Sequence, residues 1–207
     1  MEWGGIISGL AAAAAVAIGI PLALRSRKKT AAGNVKRFFQ HLGEIGVKAS
    51  LVEKDAMQEK VGISRGSGQR AEGVIKIDGR NIDYINVISV TSQYGVRYFL
   101  DYLVTSPSLS VEKKKKTKMV MKKSSAIRGR VADVEWKGDD YLSQTLNFDY
   151  RLKDKLLQTE LKELKDSISI FPEPKYEYAR VRTTYLLPSP DLFEAIDIIA
   201  KYVKSGW

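Results

Sequence analysis

The feature of this sequence that most constrains its fold is an uncharged stretch near its first residue. From Gly4 to Leu24 a run of 21 residues carries no charge, and four of the next five residues are basic. At the rise of an α-helix such a run is about 31 Å long, which matches the hydrocarbon core of a bilayer. The pattern predicts a transmembrane anchor over residues 1–24, with Trp3 at one interface.

Two alternatives for this stretch stay open. A cleaved signal peptide has a basic region before its apolar core, whereas the only charged side chain here is that of Glu2. Such a peptide also has a shorter apolar core, without a basic block directly behind it. A buried helix of a soluble domain is the second alternative, because the run is rich in Ala and Gly. The length and the flanking charges favour the membrane span over both.

The flanking charges also predict the orientation of the span. Residues 25–33 form a basic juxtamembrane linker that contains Arg25, Arg27, Lys28 and Lys29. Basic residues beside a span are enriched on the cytoplasmic side. We therefore expect a single-pass protein of the cell membrane, with its N-terminus outside and its C-terminal domain in the cytoplasm. The four basic side chains are then placed to contact anionic lipid headgroups.

The composition excludes several kinds of functional site. The 207 residues include no Cys and only one His, His41, which argues against a disulfide framework, thiolate-ligated metals and a His cluster. Gly66–Ala71 matches the G-x-G-x-x-A dinucleotide pattern, but the residues after it have the period of a strand rather than a helix. Four aspartates between 139 and 154 are explained as helix caps. We therefore predict no catalytic, cofactor-binding or metal-ligating residues.

Residues 34–207 are predicted to form one α+β domain with a mainly antiparallel sheet and about three packing helices. Apolar residues recur at helical spacing in 34–46 and 141–164, and Ser189 followed by Pro190 is typical of a helix start. Alternating apolar residues separated by turn residues predict strands, and Pro172 is expected to end the fifth of them. The predicted strands are Val74–Ile77, Ile82–Val90, Val96–Val104, Ile127–Trp136, Ile168–Phe171 and Tyr176–Leu187.

A lysine-rich segment at 106–125 is predicted to interrupt the sheet as a long loop or an extended hairpin. Residues 108–123 carry a net charge of +6, more than half of the chain's +10. Each Lys near an anionic membrane surface contributes about 1 kcal/mol. For a tethered domain this favours lipid contact over a purely solvated loop, and nucleic acid is the least favoured partner. The lysines are Lys113, Lys114, Lys115, Lys116, Lys118, Lys122 and Lys123.

The strand at 176–187 carries a second candidate surface. Its period of two places Tyr176, Tyr178, Arg180 and Arg182 on one face. Arg beside aromatic residues can bind phosphate or the acidic surface of a partner, although the same residues also pair across solvent-facing strands. We therefore treat this face as a possible partner-binding surface.

Three classes of function follow from these features. The favoured one is a membrane-anchored protein whose cytoplasmic domain is a binding or scaffolding module near the anionic inner leaflet, without catalysis of its own. The first alternative is a membrane-proximal hydrolase that uses carboxylate, Arg and Tyr groups. The second is a nucleic-acid-binding protein tethered to the membrane. The sequence does not determine the oligomeric state.

Overall fold

The structure is a computed structural model that describes residues 30–52, 68–110, 114–124, 131–159, 161, 164 and 167–207. These residues contain four α-helices and eight strands. The helices are α1 (30–44), α2 (Asp140–Phe148), α3 (Tyr150–Leu157) and α4 (Pro190–Gly206). The strands are β1 (Ala49–Val52), β2 (Gln69–Ile77), β3 (Tyr84–Ser92), β4 (Gly95–Thr105), β5 (Thr117–Lys123), β6 (Val131–Lys137), β7 (Ser169–Glu173) and β8 (Tyr178–Thr184). Pro107–Ser110 and Pro174–Tyr176 form short 3-10 helices.

The eight strands form one sheet in the order β1-β2-β3-β4-β8-β7-β5-β6, and every neighbouring pair is antiparallel. The predicted α+β class and antiparallel sheet are therefore confirmed. Two short turns join β2, β3 and β4 into a meander, as the turn residues at 78–81 and 92–95 predicted. Strand β8 pairs with β4 and places the second half of the chain beside this meander.

The helices pack on one face of the sheet, which we call the helix face. Side chains of this face such as Ile85, Leu100 and Val181 are buried, and they share one apolar core with helix residues such as Phe38 and Ile196. Successive side chains of a strand alternate between the two faces. The helical spacing of apolar residues in α1 and α4 therefore serves to cover every second residue of the central strands.

The other side of the sheet, which we call the second face, carries a buried polar row. Asn86 of β3 lies opposite Asp101 of β4, and Asp101 lies opposite Arg182 of β8. Asn86 and Asp101 are fully buried, with no accessible surface. Charged and amide groups are buried only where other polar groups compensate for the loss of water. The second face therefore carries buried polar and charged side chains in the middle of the sheet.

The helical segment predicted over 141–164 contains two helices rather than one. Asp149 separates α2 from α3 with a non-helical backbone (φ −82°, ψ 90°), and its side chain accepts a 2.9 Å hydrogen bond from the Leu152 N–H. Asp139 caps α2 in the same way, accepting from the Leu142 N–H at 3.2 Å. The interpretation of these two aspartates as helix caps is confirmed.

The lysine-rich segment differs from a simple loop. Thr117–Lys123 is strand β5, which pairs with β6 along most of its length and with the start of β7. Thr117 and Met119 are buried while Lys118 is exposed, so this stretch does have the period of a strand. Of the two predicted forms, residues 117–123 therefore have that of the extended hairpin and not that of the loop. Its lysines obscured the period because they occupy three of the seven strand positions.

Pro172 does not end strand β7, contrary to expectation. It lies within β7 and pairs with Ala179 of β8. The other neighbour, β5, pairs only with Ser169 and Ile170 at the start of β7. Beyond that point no strand of the described residues lies on this side of β7, so the missing N–H of Pro172 interrupts no ladder among them.

The predicted membrane anchor lies outside the described residues, as does most of the basic linker. Within the residues that the structure describes, no helix is long and apolar enough to cross a bilayer. The span over 4–24 therefore stays a prediction.

Candidate anion-binding site

Three cations surround the ring of Phe171 on the second face of the sheet. The Nζ atom of Lys116 lies 4.4 Å from the ring centroid, and the Cζ atoms of Arg180 and Arg182 lie 5.1 Å and 5.5 Å from it. Phe171 on β7 is paired in register with Arg180 on β8, and Lys116 directly precedes β5. All three distances are within the range in which the ring quadrupole attracts a cation.

Two carboxylates hold the arginines in place. Arg182 donates from Nε and Nη2 to the two carboxylate oxygens of Asp101, at 2.6 Å and 2.9 Å. Arg180 donates from Nε to Glu173 at 2.7 Å and from Nη1 to Asp101 at 3.4 Å. Burial acts to lower the pKa of Arg180, but the charges of Asp101 and Glu173 outweigh it and raise that pKa. The guanidinium groups are therefore fixed cations whose positions are set by Asp101 at the centre.

The lysines of the site have no such partner. Lys116 and Lys118 are exposed, and neither forms an ion pair with any described residue. Burial, followed by the charges of Lys118 and Arg182, lowers the pKa of Lys116. We call Phe171, Lys116, Lys118, Arg180, Arg182, Asp101 and Glu173 the Phe171 cluster; its four cations and two carboxylates leave a net charge of +2.

A glycine after β6 holds the backbone that carries Lys116. Gly138 has a φ of +139°, and a Cβ atom at this position would collide with the Lys116 carbonyl oxygen and lie 2.7 Å from the Thr117 Cα. The next residue, Asp139, donates its N–H to the Thr117 hydroxyl at 3.2 Å. The turn between β6 and α2 therefore packs directly on residues 116–117 and positions the lysine beside Phe171.

The cation–aromatic contacts continue onto β4. The Cζ atoms of Arg182 and Arg97 lie 5.5 Å and 5.4 Å from the ring centroid of Phe99. A row of Lys116, Phe171, Arg182, Phe99 and Arg97 thus runs across β7, β8 and β4. Alternating cations and aromatic rings are typical of surfaces that bind phosphate-bearing ligands.

The predicted partner-binding face is only partly available. Tyr178, Arg180 and Arg182 lie on one face of β8, as the period of two predicted. Tyr178, however, is only 1% exposed, so it is a core residue of the second face and not a contact for a partner. Tyr176 lies outside the strand, in the 3-10 helix before it, and Glu177 between them has a left-handed backbone (φ 53°).

The predicted lipid-contact lysines fall into separate groups. Lys122 lies 3.0 Å from Glu135 on β6, and their hydrogen bond raises the pKa of Lys122 and lowers that of Glu135. Lys114 is half-buried and has a partner of its own. Of the predicted lipid-contact lysines that the structure describes, four are exposed and form no ion pair with a described residue: Lys115, Lys116, Lys118 and Lys123. Arg25, Arg27, Lys28, Lys29 and Lys113 lie outside the described residues.

The other chemical candidates have structural roles. The Nε2 atom of His41 lies 2.7 Å from the Pro188 carbonyl oxygen, which ties α1 to the segment before α4. Gly68 precedes strand β2 rather than a helix, so the context that a dinucleotide motif needs is absent there. Among the described residues no group of three or more His, Asp or Glu side chains is placed to hold a metal ion.

Sequence analysis did not identify Phe171, Asp101 or Glu173 as site residues. A single Asp among the apolar residues of β4 was the one available signal, since a lone carboxylate in a buried strand needs a cationic partner. Asp101 and Arg182 are 81 residues apart in the chain, so no local spacing could connect them.

Comparison of the chain with models of protein families, with curated proteins and with solved structures found no match.

Proposed function

We propose that the protein is a single-pass membrane protein whose cytoplasmic α+β domain is a binding module for the anionic surface of the inner leaflet. The uncharged run at 4–24 and the basic residues behind it support the anchor and its orientation. The excess of unpaired cations on the domain supports the binding role. A tether of a few residues keeps the domain close to the membrane, so that weak contacts become effective.

The observation that carries this proposal is the group of four exposed lysines without ion-pair partners, Lys115, Lys116, Lys118 and Lys123. They lie within nine residues of chain, and each contributes about 1 kcal/mol close to an anionic surface. Lys122 is excluded from this group because Glu135 already neutralises it.

We favour this function over the membrane-proximal hydrolase. The carboxylate nearest the arginines, Asp101, is 0% exposed and accepts hydrogen bonds from two guanidinium groups. A general base has to reach the proton of a substrate or of an attacking water molecule. Asp101 is placed to hold Arg180 and Arg182 instead.

The anchor is tested with the full chain expressed in cells. We expect the protein to stay in the membrane pellet after alkaline carbonate extraction, because a spanning helix is not released by disrupting electrostatic contacts. Protease added outside intact cells should leave the C-terminal domain intact. Recovery of the full chain in the soluble fraction, or digestion of the domain from outside, would contradict the proposed topology.

The lysine contact is tested by replacing the four exposed lysines with Gln in the full chain. Because the chain has no Cys, Ser124→Cys provides a single site for an environment-sensitive fluorophore next to Lys123. In nanodiscs we expect a blue shift when phosphatidylserine replaces part of the phosphatidylcholine, and its loss in the Gln variant. Four lysines at about 1 kcal/mol each contribute about 4 kcal/mol, so the equilibrium constant of the contact should fall by up to about a thousandfold in the Gln variant.

A matched control variant removes four positive charges from other exposed positions of the domain. Lys36, Lys48, Lys175 and Lys201 are also exposed and form no ion pair with a described residue, and changing all four to Gln should leave the phosphatidylserine-dependent shift unchanged. Equal losses in the two variants would mean that net charge alone drives the contact and that the proposed surface has no special role.

A further inference from the structure

We infer that the Phe171 cluster is a binding site for a phosphate monoester. This site is independent of the anchor, since every residue that forms it belongs to the described domain. It also differs from a general basic surface, because its cations are held by a buried carboxylate, an aromatic ring and a glycine turn.

The charge of the cluster fits a dianion. Asp101 and Glu173 offset two of the four cations, so that the cluster keeps a net charge of +2. A phosphate monoester carries a charge of about −1.5 to −2 near neutral pH. Binding of such a group would neutralise the cluster, whereas a phosphodiester or a carboxylate, with one negative charge, would leave it positive.

The geometry gathers the cations around one aromatic ring. The Lys116 Nζ and the Arg182 Cζ lie 4.4 Å and 5.5 Å from the centroid of Phe171. Arg182 donates to Asp101 through Nε and Nη2, which leaves the Nη1 protons without an acceptor among the described residues. A guanidinium fork together with mobile lysine ammonium groups supplies the several donors that phosphate oxygens accept.

The arginines are positioned before any ligand binds. The buried Asp101 orients Arg182 through two hydrogen bonds, and Glu173 does the same for Arg180. Lys116 contacts the ring of Phe171, but neither Lys116 nor Lys118 forms an ion pair with a described residue. Because the arginines are already oriented, binding of a ligand requires less ordering of their side chains.

The site is tested with the full chain in nanodiscs of neutral phosphatidylcholine. Glycerol 3-phosphate, a soluble monoester, is titrated by isothermal calorimetry against the native protein, the double variant Lys116→Gln/Lys118→Gln and the control Lys36→Gln/Lys48→Gln. The control removes the same charge from two exposed lysines that form no ion pair with a described residue, and it leaves the Phe171 cluster intact. We expect the first double variant to bind at least tenfold more weakly and the control to bind like the native protein.

A comparison of two lipids distinguishes a lipid headgroup from a soluble metabolite as the source of the phosphate. Nanodiscs that contain phosphatidic acid, whose headgroup is a monoester, are compared with phosphatidylserine nanodiscs of the same surface charge. Stronger domain contact on phosphatidic acid, lost in Lys116→Gln/Lys118→Gln, would identify the lipid as the source. Binding of glycerol 3-phosphate without this lipid preference would identify a soluble metabolite instead; both results support the site.

Three results would overturn the inference. One is the absence of glycerol 3-phosphate binding at millimolar concentration, and another is an equal loss of binding in the test and control variants. The third is tighter binding of a single-stranded oligonucleotide than of the monoester, with a loss in Phe171→Leu, which would make the cluster a stacking surface for nucleic acid. A full chain that does not insert into nanodiscs is titrated in solution with the same ligands, so these three results do not depend on a membrane anchor.

Discussion

Replacing Asp101 with Asn is expected to lower the free energy of unfolding by about 3–5 kcal/mol, because it removes one partner of a buried charge network. Asp101 has no accessible surface and accepts hydrogen bonds from Arg182 and Arg180. The substitution keeps the volume of the side chain but leaves the guanidinium groups, which are themselves largely buried, without their main counter-charge. Denaturant unfolding of the native and variant proteins under identical conditions measures the difference.

The matched control for this prediction is Asp78→Asn. Asp78 is 52% exposed and lies 3.2 Å from Lys76, so it forms an ion pair at the surface. Such pairs contribute about 0–1 kcal/mol, because water screens them. If Asp101→Asn costs no more than the control, Asp101 is not the centre of a buried network and the positioning of the arginines needs another cause.

Replacing Gly138 with Ala is expected to destabilise the domain by about 2–6 kcal/mol, from backbone strain and overpacking together. At a φ of +139° an L side chain is strained, and its Cβ would also meet the backbone of Lys116 and Thr117. Backbone atoms cannot rotate away as a flexible side chain can, so the β6–α2 turn or the start of β5 has to move. Thermal unfolding and, at a permissive temperature, binding of glycerol 3-phosphate should both report this displacement.

Gly79→Ala separates the two causes. Gly79 also has a positive φ, +70°, but no atom of the described residues lies within 4 Å of the position that its Cβ would occupy. Ala there should cost about 1–2 kcal/mol, from the left-handed backbone alone. An equal cost at both positions would argue against the close approach of Gly138 to Lys116.

The parts of the fold that sequence analysis predicted are those whose signals are local. The meander of β2, β3 and β4 follows from alternating residues and two short turns. The start of α4 follows from Ser189, whose hydroxyl accepts from the Leu192 N–H at 3.2 Å. In each case the residues that form the turn or the cap lie within a few positions of one another, so their spacing carries the information.

Prediction was weaker where the burial pattern depended on distant neighbours. Strand β5 contains three lysines, and its strand character shows only in the burial of Thr117 and Met119 between β6 and β7. Tyr178 had the spacing of an accessible residue on the face of Arg180 and Arg182, yet it is buried. Composition and period alone do not determine which face of a strand the rest of the chain covers.

The sequence by itself determined the antiparallel α+β class, the helix caps and the concentration of lysine, because hydrogen-bonding preference and side-chain period act over short distances along the chain. Only the tertiary structure decided which of those lysines form ion pairs and which oppositely charged side chains come into contact. Glu135 neutralises Lys122 from a neighbouring strand, while Asp101 reaches Arg182 across 81 residues of sequence. Electrostatic energy depends on separation in space, and that separation is set when β4, β7 and β8 come together in one sheet.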